Sequence, residues 1–91
     1  MKVKVKYYNL LQEAIGRKEA VFQLERSCNL AGLMKVIAGE YGEQIRKMLF
    51  QETGALATHI RIFVDDRMVY DLYADLKDGA EVALFYAVVG G

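Results

Sequence analysis

The chain has 91 residues, 54% of them hydrophobic, and its 12 basic and 12 acidic side chains balance. These values predict one folded domain over residues 1–91, and they argue against nucleic acid as a partner. The single cysteine, Cys28, and the single histidine, His59, exclude an internal disulfide and the usual structural metal sites, so we expect no bound metal.

The first predicted element is a strand. From Lys2 to Tyr7, lysines alternate with Val3, Val5 and Tyr7, and this period of two is typical of a half-buried strand. The same alternation lacks the apolar run of a signal peptide, and no segment approaches the roughly 20 apolar residues that span a bilayer. We therefore expect a cytoplasmic protein without a membrane partner.

A short helix and a second strand are predicted next. The stretch NLLQEAIG, residues 9–16, spaces apolar residues one turn apart and counts Leu10 among them. Asn9 is predicted as its N-cap, and Gly16 suits the left-handed conformation that ends a helix. Residues 18–25, KEAVFQLE, alternate again and should pair with the first strand.

The main helix is predicted after Asn29. Apolar residues recur with a 3.6-residue period from Leu30 to Tyr41, Asn29 suits the N-cap, and Gly42 suits the end. Three further apolar residues at helical spacing predict a shorter helical arm over residues 43–52.

The last third of the chain reads as strands joined by turns. HIRIFV, residues 59–64, alternates and is followed by the turn-forming pair Asp65-Asp66, with a short strand predicted at 68–70. Asp78-Gly79 predicts another turn before a final strand at 81–85. The element order predicts an α+β, β-grasp (ubiquitin-like) fold: a mixed sheet of about five strands, its first and last strands parallel in the centre, with one main helix across one face.

One face of this sheet should be covered by the helix and the other should meet water. The alternation nevertheless places Tyr8, Phe63, Ala83 and Phe85 on the outer face, on three strands that this fold makes adjacent. A single exposed aromatic residue is ordinary. Three of them on neighbouring strands, beside the end of the chain, favour a partner-binding surface.

The chain ends in FYAVVGG, and the predicted flexible tail covers about residues 86–91. Gly90 and Gly91 have no side chains, so they suit a passage too narrow for a Cβ atom. The terminal carboxylate is ionised at neutral pH and is able to attack the α-phosphate of ATP held by a partner enzyme. Two terminal glycines alone are a weak signal, but here they follow an apolar strand of a β-grasp pattern.

With these features the chain resembles the MoaD/ThiS family of ubiquitin-like sulfur carriers, and within it most closely the small subunit of molybdopterin synthase. LKDGAEVALFYAVVGG, residues 76–91, is similar to the family's ending: a leucine, an Asp-Gly turn, Glu-Val-Ala, two apolar or aromatic residues and a tail closing in Gly-Gly. YYNLLQEAIG resembles the family's first strand and helix, and HIRIFVDDR resembles its third strand and turn.

The resemblance implies a role for the terminus. Gly91 would be adenylated by a MoeB-like activating enzyme that uses ATP, and converted to a thiocarboxylate with sulfur from a source such as a cysteine desulfurase. It would then donate that sulfur to precursor Z in the MoaE-like large subunit of molybdopterin synthase, in molybdenum or tungsten cofactor biosynthesis. The catalytic residues would lie in the large subunit, so we expect neither a bound cofactor nor independent enzymatic activity.

The resemblance also implies partner contacts at Tyr8, Val69 and Phe85, two of which the alternation already places outside. Where the family usually has one or two prolines after the last strand, this chain has Tyr86-Ala87, which predicts a more flexible tail. The full set of predicted partner-binding residues, besides the reacting Gly91, is Tyr8, Phe63, Val69, Phe85, Tyr86, Ala87, Val88, Val89 and Gly90.

Two alternatives stay open. The same chemistry serves thiamine thiazole, cysteine or methionine synthesis, tRNA thiolation, and conjugation to protein lysines, although the long stretch 43–58 favours the molybdopterin type. Alternatively, the chain is a β-grasp interaction module whose glycines are incidental. Cys28 and His59 are interpreted as packing or surface residues.

Overall fold

A computed structural model describes residues 1–87 of the chain. This part contains five strands and three helices. In chain order they are β1 (Lys2–Tyr8), α1 (Asn9–Ile15), β2 (Glu19–Gln23), α2 (Leu30–Tyr41), α3 (Glu43–Leu49), β3 (Ile60–Val64), β4 (Arg67–Met68) and β5 (Glu81–Tyr86). None of these helices is long and apolar enough to cross a membrane.

The strands form one mixed sheet in the order β2-β1-β5-β3-β4. β1 and β5 are parallel neighbours in the centre, with Val5 beside Val82, and every other neighbouring pair is antiparallel. The predicted β-grasp fold is therefore confirmed, including the parallel pairing of the first and last strands.

The core lies between one face of the sheet and the helices. Val3, Val5 and Tyr7 point inward from β1 and are at most 1% exposed, as the period of two predicts. They face the apolar stripe of α2, where Leu33 and Ile37 are fully buried. Burial of apolar surface between these two layers is what stabilises the domain.

The predicted ends of the main helix are confirmed. The Asn29 side-chain oxygen accepts a hydrogen bond from the Gly32 N–H at 2.9 Å, which satisfies one of the free donors at the start of α2. Gly42 adopts φ 92° between α2 and α3, a conformation that a side chain disfavours. Gly16 likewise ends α1 with φ 83°.

The start of α1 differs from the prediction. Asn9 does not cap the helix: it has φ 57°, turns the chain directly out of β1, and its side-chain amide donates to the Tyr86 carbonyl at 3.4 Å. Leu10, expected in the apolar stripe, is 44% exposed, whereas Leu11 is fully buried. The abrupt turn rotates α1 so that Leu11 rather than Leu10 meets the core.

Two predicted boundaries also shift. The helical arm expected over 43–52 ends at Leu49, because Phe50 is extended and bridges to Leu56 instead of continuing α3. The short strand expected at 68–70 is β4, Arg67–Met68. Asp65 and Asp66 both have positive φ, 48° and 69°, and this two-residue turn fixes where the pairing with β3 begins.

Candidate functional site: the aromatic patch at the end of β5

The outer face of the sheet carries a compact apolar cluster at the end where β5 finishes. Tyr8 is the register partner of Phe85 across the parallel β1–β5 pair, and their rings stack with centroids 4.3 Å apart and planes 5° apart. Phe63 on β3 meets Phe85 edge to face at 5.4 Å and 70°. The sequence-predicted residues Tyr8, Phe63 and Phe85 are therefore brought together, with one ring contacting the next.

The small residue Ala83 explains how the third ring reaches the stack. Ala83 is the register partner of Phe63, while Arg61 is the partner of Phe85, so Phe63 and Phe85 are diagonal neighbours. Aromatic side chains span this diagonal spacing between strands. A larger side chain at Ala83 would occupy the space over which Phe63 leans.

Met68 extends the cluster and was not predicted as a site residue. It is the register partner of Phe63 across the β3–β4 pair and is 41% exposed. Because directly opposed residues share a face of the sheet, Met68 lies on the outer face beside Phe63. We name Tyr8, Phe63, Met68 and Phe85 the aromatic patch. Counting outward from the two-residue turn Asp65-Asp66 pairs 64 with 67 and 63 with 68, so the sequence did hold a signal for Met68.

Val69, predicted as a partner contact, lies next to the patch but not in it. Its N–H donates to the Ile62 carbonyl at 2.9 Å, and its side chain is half-buried against the core. The alternation that turns Met68 outward turns Val69 inward. A contact of Val69 with a partner stays a prediction.

The other half of the outer face is ionic. Lys6 Nζ lies 2.7 Å from Glu81 Oε1, and Lys4 Nζ lies 3.5 Å from Glu19 Oε2. The hydrogen bond that Lys6 donates to the Glu81 carboxylate raises the pKa of Lys6, which is charged at neutral pH in either case. Exposed pairs of this kind contribute little to stability. They leave the charged half well solvated, so the aromatic patch is the part of this face suited to lose its water on binding.

The predicted start of the tail at residue 86 is too early. Tyr86 belongs to β5, pairs with Ile60, and packs its ring against the core with the His59 ring 5.6 Å away. The Ala87 N–H then donates to the His59 carbonyl at 2.6 Å. The Asn9 amide also donates to the Tyr86 carbonyl, so the backbone is held up to this point by the residue that follows β1 and the residue that precedes β3. The remaining predicted tail residues, Val88, Val89, Gly90 and Gly91, lie outside the described residues.

Cys28 and His59 provide no chemistry of their own in this arrangement. Burial raises the pKa of the Cys28 thiol, which disfavours the reactive thiolate, and its Sγ donates to the Asn29 carbonyl at 3.3 Å. His59 Nδ1 is buried and has no hydrogen-bond partner among residues 1–87. Within the same residues, no three His, Cys, Asp or Glu side chains are placed to hold a metal ion.

A surface cleft of about 530 Å³ lies on the helical side of the molecule. It is lined by the end of α2, by α3 and by the following loop, including Lys35, Arg46 and Phe50. None of the predicted site residues lines it. The candidate site is therefore the aromatic patch at the end of β5, and not this cleft.

The comparison with models of protein families shows which family the chain belongs to. The model of the ThiS family matches residues 5–91, which is nearly the whole chain. The chain belongs to the ThiS family. Proteins of this ThiS/MoaD group are ubiquitin-like sulfur carriers, which fits a chain whose last strand leads to a Gly-Gly end.

Solved structures agree with the ThiS-family fold. The putative molybdopterin converting factor, subunit 1, from Pyrococcus furiosus is 28% identical, with a TM-score of 0.80 over 97% of this chain and 99% of that one. SAMP1 from Haloferax volcanii is 21% identical, with a TM-score of 0.90 over 100% of both chains. A protein–protein complex of subunits 1 and 2 of molybdopterin-converting factor from Helicobacter pylori 26695 contains a chain 23% identical, with a TM-score of 0.65 over 100% of both. No curated protein matches the sequence.

Proposed function

We propose that this ThiS-family chain carries sulfur as a thiocarboxylate on Gly91 and acts as the small subunit of a molybdopterin synthase. The observation that carries the proposal is the placement of the aromatic patch: Phe85, its central ring, is six residues before the terminal glycine, on the strand that leads to it. A partner that binds the aromatic patch therefore also has the terminal glycine within a few residues of the contact. The similarity to the putative molybdopterin converting factor subunit of Pyrococcus furiosus supports the choice of pathway.

The chemistry needs only the terminal carboxylate from this chain. In an activating enzyme, that carboxylate attacks the α-phosphorus of ATP, and pyrophosphate leaves with formation of the acyl-adenylate. Hydrosulfide then attacks the acyl carbon and displaces AMP. If the sulfur source is a cysteine desulfurase, its persulfide attacks instead, and a thiol reduces the resulting acyl disulfide to the thiocarboxylate and is itself oxidised to a disulfide. The product is the thiocarboxylate, whose sulfur passes to an acceptor, precursor Z, in the large subunit. The side chains of the carrier take no part in these steps.

The number of residues after Ala87 limits how far the terminal carboxylate can extend into a partner. The last backbone hydrogen bond within the described residues is that of Ala87, which leaves four residues beyond it. At about 3.3 Å per residue these span roughly 13 Å when extended, enough to enter a partner's active site while the sheet stays outside. The aromatic patch fixes the distance from which the end is delivered, and the glycines pass where side chains do not fit.

The patch has the composition of a binding surface. Aromatic residues and Met are enriched in protein interfaces, and clustered aromatic residues often supply most of the binding free energy. The solved complex of the Helicobacter pylori subunits shows that a protein of this fold does assemble with a second subunit. We expect the aromatic patch to dock first on the activating enzyme and then on the large subunit, since both must receive the same end.

The decisive experiment measures the mass of the chain before and after activation. Incubation of the chain with ATP, an activating enzyme and a sulfide source should add about 16 Da, sulfur in place of oxygen, at the terminal residue. Deletion of Gly90 and Gly91 is the matched control: the variant should stay folded and gain nothing. An activating enzyme that is active on its own carrier but produces no gain on this chain contradicts the proposal. The thiocarboxylate should then convert precursor Z to molybdopterin in the presence of a large subunit.

A second function uses the same activated end. The acyl-adenylate is also open to the amine of a lysine, and the fold matches a small archaeal modifier protein over its full length. Incubation with ATP, the activating enzyme and a cell extract separates the two cases. The last basic residue of the chain is Lys77, so trypsin leaves residues 78–91 attached to a modified lysine; such branched peptides indicate a modifier, whereas sulfur on precursor Z indicates the synthase subunit. Transfer to a different acceptor, such as a thiamine thiazole precursor or a tRNA, keeps the carrier chemistry and changes only the pathway.

A further inference from the structure

The sheet has one long open edge, β2. β2 has five residues and pairs only with β1, whereas β4 at the opposite edge has two residues. The Lys18 carbonyl accepts from the Tyr7 N–H at 2.8 Å, and the Leu24 N–H donates to the Met1 carbonyl at 2.7 Å. The hydrogen-bonding direction alternates along a strand. Residues 19, 21 and 23 therefore turn their N–H and C=O groups away from the sheet. Among the described residues, only one contact reaches these groups: Arg17 Nε donates to the Glu19 carbonyl at 3.2 Å.

This edge has few of the features that prevent an edge strand from pairing with another strand. The pairing of β2 with β1 runs without a bulge from Lys2–Gln23 to Lys6–Glu19, and the chain has no proline. At the middle of the edge, Val21 is 60% exposed on the outer face. Long, flat edges with an exposed apolar residue invite another strand.

The sequence along the edge is complementary to itself. When two copies are laid antiparallel with Val21 opposite Val21, Glu19 lies opposite Gln23 and Arg17 lies opposite Glu25. Apolar side chains then meet at the centre, a carboxylate meets an amide beside them, and opposite charges meet at both ends. Moving the register by two residues places Val21 opposite Glu19 or Gln23, so one register is favoured over its neighbours.

We infer that β2 is a self-association surface, on which a second copy of this chain pairs β2 to β2 and joins the two five-stranded sheets into one. Three pairs of opposed residues (19 with 23, 21 with 21, 23 with 19) each exchange two backbone hydrogen bonds in this arrangement. The bond from Arg17 to the Glu19 carbonyl is released, which frees the guanidinium for Glu25 of the second copy.

Apolar surface beside the edge adds to the contact. On the helical side, Val36 of α2 is 42% exposed and lines a cleft that also contains Gln23 and Leu24. The contact is nonetheless short compared with a standard interface of roughly 1,600 Å², so association should be weak and dependent on concentration.

The position of β2 keeps this contact separate from the carrier site. β1 lies between β2 and β5, and the aromatic patch spreads from β1 and β5 toward β3 and β4, away from β2. Pairing through β2 therefore leaves the aromatic patch of each copy uncovered.

Self-association of the full chain is measured by sedimentation equilibrium and by amide NMR spectra from micromolar to millimolar concentration. We expect the average mass to rise toward that of a dimer, while the amide signals of Glu19, Val21 and Gln23 shift and their hydrogen exchange slows. Val21→Lys places two ammonium groups opposite each other at the centre of the contact and should weaken association at least 10-fold. The variant should stay folded, because residue 21 is exposed in the single chain. Met68→Lys, an exposed apolar residue in the aromatic patch, is the matched control and should leave association unchanged.

A charge exchange tests the register. Gln23→Glu opposes carboxylates across the contact and should weaken association, and adding Glu19→Lys should restore it. The inference is overturned if the chain stays monomeric at millimolar concentration, if Met68→Lys rather than Val21→Lys separates the copies, or if the exchange fails to restore association. A monomer whose Val21 edge instead captures an extended strand of another protein overturns it as well.

Discussion

Replacing Phe85 with alanine should separate what the aromatic patch does for the fold from what it does for binding. The Phe85 side chain is half-buried, stacks on Tyr8 at 4.3 Å and meets Phe63 at 5.4 Å. Fully buried Phe→Ala changes cost about 3–5 kcal/mol, and each aromatic pair contributes about 0.5–1.5 kcal/mol beyond its burial. For a half-buried ring with two such contacts we expect a loss of about 2 kcal/mol in the free energy of unfolding.

That loss is measurable by urea denaturation. With a slope of about 1–2 kcal/mol/M for a domain of this size, the midpoint should fall by about 1–2 M. Leu84→Ala, one position earlier and fully buried, is the matched comparison and should cost about 2–5 kcal/mol, because it leaves a cavity in the core. The two variants differ in the face of the sheet from which atoms are removed.

Binding should rank the two variants in the opposite order. At a temperature where both are folded, Phe85→Ala should weaken binding to the activating enzyme by about 2 kcal/mol or more, about 30-fold, because a central aromatic contact is lost. Leu84→Ala should change the affinity less than 3-fold, since its side chain faces the helices. Calorimetric titration of each folded variant gives both numbers. If folded Phe85→Ala binds as tightly as the unaltered chain, the aromatic patch is not the docking surface.

Three further substitutions test the end of β5, the core and the boundary between α2 and α3. Ala87→Pro removes the N–H that donates to the His59 carbonyl, so it should cost about 1 kcal/mol by urea denaturation; no loss would place the end of the ordered strand before residue 87. Burial and the hydrogen bond between the Tyr7 and Tyr41 hydroxyls raise the pKa of Tyr7. The unfolded chain therefore ionises first, near pH 10, stability falls as the pH rises above that value, and Tyr7→Phe should flatten this alkaline loss in denaturation midpoints between pH 8 and 11. Gly42→Ala places a side chain at φ 92° and should lower the free energy of unfolding by about 1 kcal/mol or more, with an unchanged midpoint as the contrary result.

Much of the fold follows from local pattern. The strand alternation assigns Tyr8, Phe63 and Phe85 to the outer face because successive side chains of a strand point to opposite sides whatever the strand pairs with. The two ends of α2, at Asn29 and Gly42, were equally predictable from the sequence, because capping depends on the backbone conformation and hydrogen bonding of a single residue. The Gly-Gly end and the order of elements then pointed to the family.

The sequence by itself thus determined the element order and the inward and outward faces of the strands, and it carried the Gly-Gly end on which the proposed function rests. Only the tertiary structure decided where β5 stops, because Tyr86 stays in the sheet through contacts with Asn9 and with the chain at His59, both distant in sequence. It also decided that the aromatic rings touch and that β2 is left open at the edge. Periodicity is a property of neighbouring residues, whereas the end of a strand and the freedom of an edge depend on which distant segment supplies the hydrogen-bond partners.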